Sequence, residues 1–146
     1  MLDESTRPVQ AFFNAYRTAF EGFDPAAIAR FFAYPSHITS DANKVVTTVI
    51  ATEEEWTRQI ERLLGTYRRI GVSSARVLDL TEIELSPRLH QAVLHWALHD
   101  AAGGLLYRFQ ATYTLAEIDG ALRITALAHN ELPQLQERLA LQGSHG

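Results

Sequence analysis

The sequence predicts an α+β domain in which three N-terminal helices cover the concave face of one curved antiparallel sheet. Apolar residues recur at helical spacing in three early segments. Long runs of strand-forming residues, separated by turn signals, fill most of the remaining chain. A single sheet has to cover its apolar face, and long strands twist and coil. We therefore expect a cone with a pocket at its open end.

The first helix begins near Ser5 or Thr6, either of which can cap it, and it ends at Gly22. Pro8 lies in its first turn, where the missing backbone N–H is not needed. The apolar residues of this segment follow a helical period and form one stripe. They are Val9, Phe12, Phe13, Tyr16 and Phe20.

A second, short helix begins at Asp24-Pro25 and carries Ile28, Phe31 and Phe32. Tyr34-Pro35 ends it, because the residue before a proline is displaced from helical geometry. The chain then turns from helix to strand.

Two short strands, 36–40 and 44–50, precede the third helix. That helix begins at Thr52, which is followed three residues later by a glutamate in a capping box. It ends at one of two glycines, Gly65 or Gly71. The segments 73–85, 90–99, 105–117 and 121–129 are then predicted as four long strands. A hairpin signal, Asp119-Gly120, joins the last two.

Composition limits the class of protein. The length of 146 residues suits one domain, which we place at 5–141, with a last helix from Pro133 and a frayed tail at 142–146. The net charge of −4 argues against a nucleic-acid partner. The chain has no cysteine and no apolar run of the ~20 residues that cross a bilayer. We expect a soluble, cytoplasmic protein without a membrane partner or a signal peptide.

The order of the elements, the Asp24-Pro25 helix start, the Tyr34-Pro35 entry into the first strand and the Asp119-Gly120 hairpin resemble the nuclear transport factor 2-like superfamily. This superfamily includes the ketosteroid isomerases and polyketide cyclases, and the resemblance covers about residues 5–131. It implies a cone-shaped α+β barrel with a pocket at its wide end, and a homodimer. Because one fold supports many reactions, it implies no particular reaction.

The resemblance to the ketosteroid isomerases implies that Tyr16 is a hydrogen-bond donor to an oxyanion. Their general-base aspartate corresponds to Ser40, with Asp41 one position on, and their second aspartate corresponds to Thr112. A serine does not abstract protons near neutral pH without an activator, so we do not expect that reaction. For an enzyme, we expect acid–base chemistry without a cofactor, with Tyr16 as donor and His37 or Asp41 as base. The other interpretation is a surface histidine followed by a turn aspartate.

Six histidines raise the question of a metal site. His95 and His99 share one face of a strand, where a separation of four residues is about 13 Å. That distance is too long for one ion. We therefore expect no metal.

Aromatic side chains with polar tips suit a pocket for a small, largely apolar ligand. The phase of the last two strands leaves alternatives open. Hydrophobic alternation puts Tyr113 inward, whereas the resemblance puts Thr112 inward and, with it, Arg108 and Gln110. A buried arginine would then need an anionic ligand. The candidate pocket residues are Trp56, Tyr67, Trp96, Arg108, Gln110, Thr112, Tyr113, His129 and Asn130.

Two functions follow from these expectations. The first is a small-molecule-binding protein, with turnover of the isomerase, cyclase or dehydratase type if it is an enzyme. The alternative is a non-catalytic homodimeric binding or assembly module that associates through the outer face of the sheet. Apolar residues on both faces of the long strands, such as Val93, Ala97 and Leu127, favour the second function.

Overall fold

Helices pack against one face of a curved, unclosed six-stranded sheet in the computed structural model, which describes residues 7–144 and side chains through residue 142. The helices are α1 Pro8–Glu21, α2 Pro25–Ala29, α3 Glu53–Ile70 and α4 Leu132–Ser144. The strands are β1 Phe32–Asp41, β2 Val45–Ile50, β3 Ser74–Ser86, β4 Leu89–His99, β5 Leu105–Ile118 and β6 Ala121–His129. The predicted α+β class, with early helices covering a curved sheet, is confirmed.

Helix α1 supplies the centre of the core. Its stripe buries Val9, Phe12, Phe13 and Tyr16, and Pro8 lies in its first turn as predicted. The predicted caps, Ser5 and Thr6, lie outside the described residues. The ring of Tyr16 lies within about 6.5 Å, centroid to centroid, of seven other aromatic rings. These rings belong to Phe12, Phe13, Phe20, Phe31, Phe32, Trp96 and Tyr113.

Helix α2 is shorter than predicted. Asp24 caps it by accepting a hydrogen bond from the Ala27 amide at 3.1 Å, and the helix ends at Ala29. The prediction that Phe31 and Phe32 belong to the helix is wrong. The Phe31 carbonyl instead accepts the Ile124 amide at 2.8 Å, so strand pairing begins well before the proline.

Helix α3 has the predicted capping box. The Thr52 hydroxyl accepts the Glu55 amide at 3.2 Å, and the Glu55 carboxylate accepts the Ala51 amide at 3.2 Å. Of the two glycines proposed to end the helix, Gly71 does so in a left-handed conformation with φ +85°. Gly65 lies inside the helix.

The strand order is β2-β1-β6-β5-β4-β3, and one pair departs from the predicted antiparallel sheet. β1 and β6 run parallel, whereas the other four pairs are antiparallel. A tight hairpin fixes the antiparallel direction of consecutive strands. β1 and β6 are far apart in sequence, so no hairpin constrains their direction. Register shifts in β3 and between β5 and β6 bend the sheet.

Hydrophobic alternation decides the inward face of β5 and β6. Ala111, Tyr113 and Leu115 are buried on the concave face. Arg108 and Gln110 are exposed on the opposite face. The alternative phase suggested by the resemblance is therefore wrong for β5, because it would place charge against the helices and aromatic rings in solvent.

Helix α4 follows β6 and packs on α3, β1 and β5. It begins at Leu132, next to the predicted Pro133, and extends past residue 141 into the segment expected to be frayed. Residues 145–146 lie outside the described part of the chain. Within that part, no helix is long and apolar enough to cross a membrane.

The two glycines of α3 give a matched test of its C-terminal boundary. A Cβ added at either position has no atom within 4 Å, so packing does not separate them. Gly65→Ala should raise the free energy of unfolding by about 1 kcal/mol, because alanine favours a helix interior. Gly71→Ala should lower it by about 1 kcal/mol, because φ +85° strains any L side chain. Urea unfolding of both variants checks the opposite signs, and two changes of equal sign would contradict this boundary.

Candidate functional site

A cavity lies between the helices and the concave face of the sheet. It contains about 830 Å³ of empty space, including its open mouth. Its wall is mainly apolar and includes Phe20, Ile60, Leu63, Phe109 and Leu127. An apolar wall with a few convergent polar groups is the usual composition of a small-molecule site.

Six of the predicted site residues lie in the cavity wall. The aromatic ones come from α1, α3, β4 and β5, whose inward faces meet there. The six are Tyr16, Trp56, Tyr67, Trp96, Tyr113 and His129.

His37 and Asp41, predicted as a catalytic base, lie outside the cavity. Both are exposed, and they share the outer face of β1. His37 is in register with Val49 and Ala126 on the neighbouring strands. The predicted arrangement with Tyr16 is not formed, because Tyr16 is buried on the other side of the sheet.

Arg108, Gln110, Thr112 and Asn130 are also outside the cavity, which corrects their assignment to the pocket. Gln110 contacts His95 on the outer face, with 2.5 Å between the two Nε2 atoms. The Asn130 side chain accepts the Gln110 amide at 2.8 Å, so Asn130 extends the pairing of β5 and β6. Thr112 is half-buried on the same outer face.

Glu131 is the cavity residue that the sequence interpretation did not identify. It is 6% exposed and lies between β6 and α4, where its carbonyl accepts the Leu135 amide at 3.1 Å. Its carboxylate oxygen Oε2 accepts the hydroxyl groups of Tyr67 at 2.5 Å and Tyr107 at 2.7 Å. Oε1 accepts no hydrogen bond from the described residues. Because Glu131 lines the cavity, Oε1 is the free acceptor that it offers.

Burial raises the pKa of Glu131 above its ordinary value, and the hydrogen bonds from Tyr67 and Tyr107 oppose that rise. Its negative charge in turn raises the pKa of Tyr16, Tyr67, Tyr107 and Tyr113, although burial is the largest cause for each of them. The four phenols therefore stay protonated at neutral pH. Two of them, Tyr67 and Tyr107, donate hydrogen bonds to the carboxyl group.

A second polar cluster joins α1 to the sheet. Trp96 donates its indole N–H to the Tyr113 hydroxyl at 3.0 Å. The Tyr16 and Tyr113 rings meet edge to face, with 6.0 Å between their centroids. Tyr16 on α1 therefore packs against the sheet beside this cluster.

His129 is neutral in this setting. Burial lowers its pKa, and its Nδ1 accepts the Glu131 amide at 3.2 Å. An accepting Nδ1 leaves the proton of the neutral ring on Nε2. His129 therefore adds no positive charge to the cavity.

Trp56 carries a buried donor without an acceptor. Its indole Nε1 has no hydrogen-bond partner among the described residues, and the side chain lines the cavity. A buried donor is normally satisfied. An acceptor atom on a bound molecule would satisfy this one.

Two charged side chains in the cavity wall pair with each other. Arg17 and Glu21, one helical turn apart on α1, form an ion pair with 2.9 Å between Nη1 and Oε1. The other carboxylate oxygen of Glu21 accepts the Ala75 amide at 3.0 Å. Arg17 is therefore occupied by its neighbour.

No group of three metal-ligating side chains occurs among the described residues. Two of the histidines considered for a metal have other contacts. His95 meets Gln110, and His90 lies 2.8 Å from a carboxylate oxygen of Glu82.

A signal for Glu131 was present in the sequence. If side-chain alternation on the last strand continues past its end, Leu127, His129 and Glu131 share one face. An inward Leu127 then implies an inward Glu131. The predicted strand ended at His129, so the alternation was not extended to the next position on that face.

Comparisons with known proteins agree with the fold. The profile of the family described as NTF2-like protein (DUF6841) matches residues 3–131, and no curated protein matches. An NTF2-like protein with a cystatin-like fold from Novosphingobium aromaticivorans is similar at 12% identity and TM-score 0.68, over 92% of this chain and 86% of that one. Aln2 from a Streptomyces species is similar at 17% identity and TM-score 0.67, over 93% of both chains.

A third solved structure is the yeast UBP3-associated protein BRE5, at 15% identity and TM-score 0.69, over 88% of this chain and 97% of that one. At these identities the solved structures show the fold alone. The family profile covers most of the chain and agrees with the resemblance stated from the sequence. The chain belongs to the NTF2-like protein family DUF6841.

Proposed function

We propose that this protein binds a small, largely apolar molecule in the cavity and holds the polar group of that molecule against Glu131. The observation that carries this proposal is the free Oε1 of a buried carboxyl group inside an apolar wall. Oε1 is not among the fully buried atoms that lack a partner, so it meets the space of the cavity. A ligand donor can hydrogen-bond to Oε1 there, and hydrogen bonds to charged groups contribute about 1.5–3 kcal/mol.

The aromatic wall supports the apolar character of the ligand. Tyr16, Phe20 and Trp96 form adjoining ring contacts around one side of the cavity. Such rings bury large areas and orient flat molecules. Acid–base turnover by His37 and Asp41 forms no part of this proposal, because both lie on the outer face of the sheet.

A second candidate function, homodimeric assembly, is favoured by the outer face of the sheet. Val45 and Ile83 are 65% and 54% exposed there, and Val93 lies between them on β4. A contiguous exposed apolar patch marks an interaction surface, and Ile83 and Val93 lie on the neighbouring strands β3 and β4. A second copy of the chain is the proposed occupant. Ala97 and Leu127, also expected to favour assembly, contribute little, because Ala97 is 1% exposed and Leu127 faces the cavity.

Binding in the cavity predicts a difference between two alanines on opposite faces of β5. Ala111→Phe should weaken binding of the neutral fluorescent probe N-phenylnaphthylamine by about ten-fold or more, because the new ring occupies space in the cavity wall. Ala116→Phe makes the same change on the outer face and should leave the affinity within about two-fold. Fluorescence titration measures both variants after circular dichroism has verified their fold. Unchanged binding by Ala111→Phe would contradict the proposal.

The pKa of Glu131 predicts a pH-dependent stability. Because the folded pKa is raised above the ordinary 4.5, the folded state binds the proton more tightly than the unfolded state. The contribution of Glu131 to stability therefore falls as the pH rises from the unfolded pKa through the folded one. The side chain of Glu131→Gln does not titrate, so the variant does not show that loss. As the pH rises through this range, its free energy of unfolding relative to wild type should therefore increase by about 1.4 kcal/mol for each unit by which the pKa of Glu131 is raised.

Urea unfolding across this pH range measures the effect. Glu117→Gln, at an exposed carboxylate, is the matched control and should run parallel to the wild type. A Glu131→Gln curve that also runs parallel to wild type would show that burial does not favour the protonated form.

Assembly predicts a molar mass in solution of twice 16.4 kDa. Val93→Asp, in the middle of the outer face, should shift the protein towards the monomer, because a charge resists burial in an interface. Val46→Asp is the control, because Val46 is 45% exposed but points to the inner side of β2. Light scattering after size exclusion distinguishes the two. A monomeric wild type would exclude this second function.

A further inference from the structure

The negative charge of Glu131 is not paired with a positive charge among the described residues. One ion pair, Arg17 with Glu21, and one carboxylate–histidine contact, Glu82 with His90, occur within residues 7–142, and neither involves Glu131. His129, next to it, accepts the Glu131 amide and stays neutral. A buried carboxylate is normally paired with a cation or metal. None of the described residues supplies one at this position.

The hydrogen bonds to Glu131 favour its ionised form. Tyr67 and Tyr107 both donate to the same oxygen, at 2.5 and 2.7 Å, within the usual range for O–H donors to an anionic oxygen. Donors aimed at the charged form stabilise it against burial. They are neutral, however, and supply no opposite charge. That charge is left for a molecule bound at Oε1.

The other polar groups of the wall restrict which ligand group can bind at Oε1. They favour an N–H donor over an anion or a carbonyl group. A ligand carboxylate would meet Glu131 as a like charge, and Arg108, considered earlier as its partner, faces away from the cavity. A carbonyl oxygen offers no proton to Oε1. An ammonium group offers both the charge and the proton.

The rings around this point also suit a cation. Tyr16, Tyr67 and Tyr113 lie close enough to Glu131 for its charge to raise their pKa values, and Trp96 donates to Tyr113. Aromatic faces attract ammonium groups, by about 2 kcal/mol when water is excluded. The same wall accepts the apolar body of the molecule.

We propose that the ligand of this cavity is an organic amine, bound as its ammonium form with an N–H donated to Glu131 Oε1 and its apolar body against the aromatic wall. This inference rests on the proposed function, because it names the chemical class of the molecule held there.

Three probes of similar size test the class: phenethylamine, phenethyl alcohol and phenylacetone. Calorimetric or NMR titration at about pH 8, where an alkylamine is protonated, should show phenethylamine binding about ten-fold more tightly than either neutral probe. Glu131→Gln keeps the shape of the side chain and should abolish that preference. Glu82→Gln removes a carboxylate outside the cavity and should preserve it.

The pH dependence gives a readout that needs no variant. Affinity for phenethylamine should rise with pH through the titration of Glu131, and affinity for phenethyl alcohol should stay constant. The titratable groups that face Glu131 are Tyr16, Tyr67, Tyr107, Tyr113 and His129, with Arg17 and Glu21 elsewhere in the wall. The tyrosines stay protonated and His129 is already neutral, so Glu131 is the group that titrates.

The outcomes separate this inference from the proposed function. Equal binding of the three probes, or tighter binding of phenylacetone, overturns the amine while leaving the cavity as a binding site, provided that Ala111→Phe blocks the probes. An amine preference that survives in Glu131→Gln also overturns it. Failure of all three probes and of N-phenylnaphthylamine to bind overturns both proposals.

Discussion

The covered face of the sheet is the constraint on which the rest of the molecule depends. Side chains alternate along a strand, so one choice of face at Tyr113 also fixes Phe109, Ala111 and Leu115. The α1 stripe packs against that face through Tyr16. The ring of Tyr16 contacts aromatic rings on α1 and on the sheet. Once these surfaces are paired, the curvature of the sheet leaves space between them at one end. The cavity is the part that side chains do not fill.

The sequence was most informative where a repeating pattern reports burial. The long strands, the Thr52 cap and the α1 stripe each repeat or pair within a few residues, so local chemistry determines them. The apolar alternation of β5 also indicated its phase, and of the two alternatives left open, the one implied by the resemblance, with Arg108 and Thr112 inward, is wrong. Glu131 continues the side-chain alternation of β6 beyond the end of the strand, so the alternation alone does not decide its burial. Its burial depends on α4 closing over the end of β6, which is a tertiary event.

The polar part of the cavity balances opposing effects on one carboxyl group. Burial favours the neutral form of Glu131, whereas two phenol donors favour the ionised form. Placing both donors on Oε2 leaves Oε1 without a partner in the described chain. One carboxylate oxygen therefore has two hydrogen-bond donors, and the other has none among the described residues. This asymmetry distinguishes the site from a buried polar network that serves stability alone, in which every atom is satisfied.

The parallel pairing of β1 with β6 affects how the chain reaches this structure. The two strands are separated by most of the domain, so their contact closes a long loop and gives the topology a high contact order, which slows folding. During synthesis on a ribosome, β1 emerges early and has no partner on one edge until β6 follows. His129 and Glu131 arrive with β6 or immediately after it. The wall of the cavity can therefore be complete only after β6 and Glu131 have been synthesised.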